Sequence, residues 1–211
     1  MDHTLTLRTQ LRAERAAAYG RLRGGFPIPL AGAVWWAALG VAGYLAPTPG
    51  YWIFGAFVTS GLIFPLALLF ARLFRIDFLR DRTAVGDVIL PAFISMLIFW
   101  PIAISAWWSY SPLVPLVLGI GMAIHWPVIG WTYDRVALFS AHAVARAVIC
   151  FAIWNWMPVH RFTLLPFAVS AIYFVTVAAI LADTRRGSRT PGQAQRERPF
   201  STVTTDSEPA T

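Results

Sequence analysis

Six stretches of the chain are each about 20 residues long and almost wholly apolar: Pro27 to Ala46, Tyr51 to Ala71, Val88 to Trp108, Leu113 to Tyr133, Val136 to Met157 and Phe162 to Ala182. Crossing roughly 30 Å of hydrocarbon at about 1.5 Å per residue takes about 20 residues of helix. Lipid offers no hydrogen bonds, so each segment must satisfy its own backbone, as a helix does. Every stretch therefore predicts a transmembrane helix. Barrel strands fit poorly, being about 10 residues of alternating polarity. Composition closes the soluble alternative, with 57% hydrophobic and 13% charged residues against roughly 45–50% and about 25% in soluble domains. The expected fold class is all-α: a polytopic transmembrane bundle of six helices.

The net charge of +7 is carried entirely by arginine, for the chain has 17 Arg and no Lys. Arg8, Arg12, Arg15, Arg21 and Arg23 precede the first span, and Arg72, Arg75, Arg80 and Arg82 separate the second from the third. Arg135 separates the fourth from the fifth, and Arg185, Arg186, Arg189, Arg196 and Arg198 follow the sixth. The opposite loops hold only Arg161. Short cytoplasmic loops are enriched in basic residues, so both termini are expected to be cytoplasmic, in the cell membrane. Spread over loops beside the membrane, these arginines answer to topology and anionic lipid, and no nucleic-acid partner is expected.

Three segments follow. Residues 1–25 form a basic cytoplasmic lead, without the apolar core of a secretory signal. As a helix it would place Leu7, Leu11, Ala18 and Leu22 in one stripe, interrupted by Glu14, either resting on the inner leaflet or simply solvated. Gly24-Gly25 should break that helix, and Pro27 suits the first turn of the next. Residues 26–182 are the transmembrane domain. From Asp183 the composition turns to Arg, Ser, Thr, Gly, Pro and Gln, which predicts a disordered cytoplasmic tail over 183–211.

Prolines 65, 101, 127 and 166 lie inside spans, where each removes a backbone hydrogen bond and kinks the helix. Ala141 with Ala145, and Gly55, Gly61, Gly119 and Gly121, offer close helix approaches that serve packing within one chain or a homo-oligomer. Trp52, Trp107, Trp108, Trp154 and Trp156 fall near outer span ends and Trp131 near an inner one, as interfacial indoles do. Trp35, Trp36, Trp100 and Trp126 sit mid-span, either as packing residues whose N–H finds an oxygen or as the wall of a cavity.

One charge remains inside a span. Arg146 is at the midpoint of the fifth, where an arginine costs roughly 2.5–3.5 kcal/mol on the insertion scale. His142 lies one turn earlier on the same face. The fourth and fifth spans are joined by Asp134-Arg135 alone, and reflection through that turn sets His125 level with residue 144. Arg146, His142 and His125 are thus expected to converge, with Trp126 and Trp100 as further candidates. No Asp or Glu lies within a span, which argues against cation transport on buried carboxylates. Arg146 then either locks helix packing through carbonyls and hydroxyls or holds an anion or lipid headgroup, to which its planar fork is suited. A metal site is not expected, because two histidines are too few for zinc and Cys150 lies two turns from His142. No cofactor and no catalytic residue is indicated.

The segments Gly61-Leu-Ile-Phe-Pro65-Leu, Phe99-Trp-Pro101 and His125-Trp-Pro-Val-Ile-Gly-Trp131 resemble a family of small, uncharacterised bacterial integral membrane proteins grouped as a domain of unknown function. The resemblance spans roughly residues 20 to 182 and is clearest from Gly61 to Tyr133. It implies a multi-pass helical bundle in a bacterial cytoplasmic membrane and transfers no functional residue. Together these readings point to a membrane protein that binds or permeates an anionic or amphiphilic small molecule. The alternatives are a scaffold for a partner protein and, further off, a membrane-embedded enzyme.

Overall fold

The structure is a computed structural model that describes residues 2–46, 48–77 and 86–196, with side chains for 4–46, 48–77 and 86–186. Arg80, Arg82, Arg189, Arg196 and Arg198, like the chain beyond 196, fall outside the residues whose side chains are described. Among the described residues ten α-helices follow in order: α1 (Asp2–Arg21), α2 (Pro27–Leu45), α3 (Pro49–Thr59), α4 (Ile63–Leu73), α5 (Ile89–Leu97), α6 (Trp100–Tyr110), α7 (Val114–Gly121), α8 (Trp126–Thr132), α9 (Val136–Trp156) and α10 (Leu164–Arg196). Among the described residues there is no strand.

Among the described residues five stretches are long and apolar enough to cross a membrane: Arg23–Leu45, Pro49–Leu73, Gly86–Thr132, Val136–Trp156 and Leu164–Arg186. The third of them is 47 residues long, about 70 Å at the helical rise, and takes in both the third and fourth predicted spans. It reverses at Tyr110, whose φ of −157° and ψ of 87° leave the helical region. Beyond that point α7 packs back on α6, and α8 on α5. The last helix continues past the compositional break at Asp183 to Arg196.

The interior prolines help explain why nine helices, α2 to α10, make up five stretches. Pro101 and Pro127 occupy the first turns of α6 and α8, where a missing N–H costs nothing. Residues 98–99 and 122–125 before them are held instead by shorter-range bonds, Phe99 N–H to Met96 O at 3.2 Å and Trp126 N–H to Ala123 O at 3.1 Å among them. Pro65 likewise follows a 3-10 turn at Ser60–Leu62, and Pro166 lies in the first turn of α10. The break at 122–125 is the one that matters for the site, since it redirects His125 and Trp126.

The tightest packing is antiparallel, α2 against α10. Gly32, Gly40 and Gly43 on α2 receive Tyr173, Phe167 and Phe162 in turn. A Cβ on Gly40 would lie 2.8 Å from the Phe167 ring, and one on Gly43 would run into the Phe162 carbonyl oxygen. Glycine here lets a backbone take an aromatic ring at a distance no other residue permits. The Ser170 hydroxyl donates across the same contact to Ala33 O at 2.8 Å. Of the glycines expected to mediate packing, Gly119 takes the Cys150 thiol and Gly121 the Phe99 ring, whereas Gly55 and Gly61 meet nothing within 4 Å.

The lead segment is fastened at its far end. Arg23, Gly24 and Gly25 have φ of 47°, 64° and 65°, and this left-handed elbow, which favours glycine, turns α1 out of α2. Leu7 and Leu11 remain exposed, but Ala18 and Tyr19 are buried. Arg12 and Arg15 pair with Asp134, and the Arg15 guanidinium covers the Trp131 ring at 4.6 Å. Arg135 donates to Asp183 at 2.6 Å and lies over Tyr19. Burial first, then the neighbouring Asp183 carboxylate, pushes the Tyr19 hydroxyl well above its ordinary pKa.

Because Gly43 abuts backbone, which cannot swing aside, Gly43→Ala should lower the unfolding free energy by about 1–3 kcal/mol. Gly55→Ala, in open space, should change it little; thermal melts of the two purified variants in one detergent check this.

Candidate functional site

Arg146 is wholly buried at the middle of α9, where four helices meet. Its Nη1 donates to the Tyr173 hydroxyl on α10 at 2.7 Å, and its Nη2 to the Leu118 carbonyl on α7 at a longer 3.4 Å. The guanidinium stands 5.0 Å from the ring centres of both Trp36 on α2 and Tyr173, so two π faces stabilise its charge. Among the described residues no carboxylate pairs with it.

His142 lies one turn away, on the same inner face. Its Nδ1 is 2.7 Å from the Thr176 hydroxyl, and that hydroxyl donates its single proton to Ile172 O at 2.8 Å. Thr176 must therefore accept from His142, which assigns the Nδ1–H tautomer and leaves Nε2 as a bare lone pair. The imidazole packs 4.7 Å from the Tyr173 ring and 4.8 Å from Trp126. Trp126 in turn stacks on Phe139 at 5.6 Å and meets Tyr173 edge-on at 5.7 Å.

Of the three residues expected to converge, Arg146 and His142 lie together, and Trp126 joins them through Tyr173. His125 stands at the right level but turns the other way, against Phe93 at 5.1 Å, and touches the cluster only through its neighbour Trp126 at 5.4 Å. Trp100 is apart from it, packed on Phe57 and Phe99. Sequence reading missed Tyr173 and Thr176, and named Trp36 only among the mid-span tryptophans. A signal for Tyr173 and Thr176 existed, since they are polar residues three apart at the middle of the sixth span.

Several polar atoms of this cluster are buried without a hydrogen-bond partner: Trp36 Nε1, Trp126 Nε1, Arg146 Nε, His142 Nε2 and, beside it, His125 Nδ1. Three of the five, the two indoles and the guanidine nitrogen, are obligatory donors. The mid-span tryptophans therefore divide. Trp35 donates to the Thr59 hydroxyl at 3.0 Å and is a satisfied packing residue; Trp36 and Trp126 are not.

On the other side of Tyr173 and Trp126 is a cavity of about 550 Å³, within the range of about 300–1,000 Å³ typical of ligand sites. Gly32, Ala67, Phe93, Met96 and Met122 form much of its largely apolar wall; His125, Trp126 and Tyr173 line it level with the middle of α9, and Ser60, Thr132 and Tyr133 line it elsewhere. Phe64 on α4 and Leu90 and Leu97 on α5 also line it, yet each is more than half exposed, so its mouth opens sideways between α4 and α5. Arg146 and His142 are not part of its lining. Among the described residues no three His, Cys, Asp or Glu side chains gather as metal ligands do.

Such an arrangement, apolar helices enclosing a buried charge and a side-opening apolar cavity, defines the class as a helical bundle of the membrane-protein kind. The chain belongs to a family of unknown function, DUF7010, whose profile matches residues 9–183, in keeping with the resemblance noted in the sequence. No curated protein and no solved structure matches it.

Removing the Thr176 hydroxyl leaves the His142 Nδ1–H buried without an acceptor. Thr176→Val should cost about 0.6–1.7 kcal/mol, the span measured for side-chain hydrogen bonds inside membrane proteins. Thr59→Val should cost a comparable amount through Trp35. Reversible unfolding in mixed micelles measures both, and a loss below about 0.3 kcal/mol at Thr176 would overturn the tautomer assignment.

Proposed function

We propose that this chain spans the cytoplasmic membrane of a bacterium six times, with both termini inside, and binds an amphiphilic small molecule taken up from the bilayer. The even number of passes rests on reading Gly86–Thr132 as two, because the stretch doubles back at Tyr110 and is too long for one crossing. The orientation rests on fifteen arginines set against Arg161. In this arrangement α1 lies on the cytoplasmic face, fastened to the α8–α9 link through Asp134.

The observation that carries the binding reading is the 550 Å³ cavity with its mouth between α4 and α5. A largely apolar wall with a few polar side chains matches an amphiphilic molecule. A mouth bounded by exposed apolar side chains favours a guest that reaches it through lipid. The cavity lining is largely apolar, which favours binding over permeation of a free anion. The site comprises His125, Trp126 and Tyr173 at the wall, with Arg146 and His142 behind them.

Two measurements test the proposal. Reporter fusions after Arg196 and within Asp134-Arg135 should be active on the cytoplasmic face, and fusions at Pro112 and Val159 on the outer face; an outward C-terminus overturns the topology. Gly61→Phe and Ala67→Phe, both of which build bulk into the cavity wall, should reduce co-purifying lipid or exogenous amphiphile in native mass spectrometry by at least half, with thermal stability retained. Unchanged occupancy in both overturns the binding reading.

A further inference from the structure

The cavity and the arginine cluster meet at one residue. Tyr173 lines the cavity, and its hydroxyl oxygen accepts from Arg146 Nη1 at 2.7 Å. A phenol that accepts from a guanidinium still has its own proton to give, and the charge on its acceptor side makes it a stronger donor. No acceptor for that proton is found among the described residues. Trp126 is also at the wall, with its unpartnered Nε1–H buried beneath that surface. The Tyr173 hydroxyl is therefore a donor at the cavity wall that calls for an oxygen acceptor. Behind it stands a buried positive charge with no carboxylate opposite among the described residues.

We propose that the molecule bound is a long-chain carboxylate, seated head inward. The carboxylate accepts from the Tyr173 hydroxyl, and the hydrocarbon chain runs along the apolar wall toward the opening between α4 and α5. This rests on the cavity-binding reading above and deepens it. Three features favour a carboxylate over other heads. An alcohol head carries no charge to answer Arg146, and an ammonium head would add one of the same sign. A neutral carbonyl would satisfy the donors but leave the Arg146 charge without a counter-charge, and in a low-dielectric interior that pairing has most effect. A bulky phospholipid headgroup would have to enter a cavity whose polar end is at mid-depth, level with Arg146, while its own preference is for the membrane surface.

In this site Tyr173 is the contact residue and Arg146 a positioning residue. Arg146 holds the phenol oxygen, fixes the direction of its proton, and supplies field rather than touch. Its anchors, the Trp36 and Tyr173 faces and Leu118 O, keep the guanidinium in place whether or not the cavity is filled.

The test uses the full chain in nanodiscs, titrated with palmitate, methyl palmitate and hexadecane and read by isothermal titration and native mass spectrometry. The parent should bind palmitate tightest, methyl palmitate about tenfold more weakly, and hexadecane more weakly still. Tyr173→Phe should weaken palmitate about tenfold or more, the effect of losing a hydrogen bond to a charged group, and leave hexadecane unchanged. Arg146→Gln should abolish the preference of palmitate over its methyl ester, and Arg146→Lys should restore part of it. Thermal melts and an unchanged hexadecane affinity certify that each variant is folded. If Tyr173→Phe binds palmitate like the parent while Gly61→Phe does not, the chain occupies the cavity with its head outward, and the carboxylate proposal is overturned although the cavity reading stands. Equal affinity for palmitate and methyl palmitate in the parent overturns it as well, in favour of a neutral carbonyl. If Gly61→Phe and Ala67→Phe alter none of the three affinities, the cavity reading fails with it.

Discussion

A guanidinium placed where no water reaches must find its solvation in the protein, and that requirement organises the centre of this bundle. The groups that solvate Arg146 come from three other helices: Trp36 of α2, Leu118 of α7 and Tyr173 of α10. Each has a precondition in the sequence. Tyr173 reaches the guanidinium across α2 because Gly32 leaves room for its ring. The Leu118 carbonyl lies near the end of α7, close to the break that precedes Pro127. Trp36 is wholly buried, and its face serves although its N–H has no partner. Helix α9 is thus tied to its neighbours by one charge, and the glycine-lined seam between α2 and α10 is what lets them come close enough.

The fold was legible where lipid leaves few choices. Long apolar runs bounded by arginines define helices almost without regard to detail, since no other structure satisfies the backbone there. The Gly24-Gly25 elbow and the Pro27 helix start were equally plain, because both depend on local dihedral preference. Legibility failed where contacts join residues distant in the chain. Gly32, Gly40 and Gly43 are eight and three residues apart and looked unremarkable beside Gly119 and Gly121. Only the partner helix, with Tyr173, Phe167 and Phe162 at matching heights, gives them meaning. Gly55 and Gly61, which looked no different, face open space.

The site shows the same division. Depth is a one-dimensional quantity, and reflection through Asp134-Arg135 set the right residues at the right level. Rotation about the helix axis is not recoverable that way, least of all next to a proline break. His125 and Trp126 exchange the expected roles for that reason: the turn at 122–125 carries Trp126 toward His142 and His125 toward Phe93. Trp100, at similar depth, belongs to a different contact, the one with Phe57 on α3. Tyr173 escaped notice because tyrosine in an apolar span is ordinary; its importance comes from what it separates, a charge on one side and a hollow on the other.

The sideways mouth between α4 and α5 has a consequence for how any guest would be counted. Exchange through Phe64, Leu90 and Leu97 takes place in two dimensions, so occupancy follows the guest's mole fraction among the surrounding lipids and not its concentration in water. A compound with a poor partition coefficient would be invisible to such a protein however well it fitted. A sparingly soluble one, enriched many-fold in the bilayer, would fill the site even at modest intrinsic affinity. Selection would then occur twice, first by the membrane and then by the wall of the cavity, with only the second step written in this sequence.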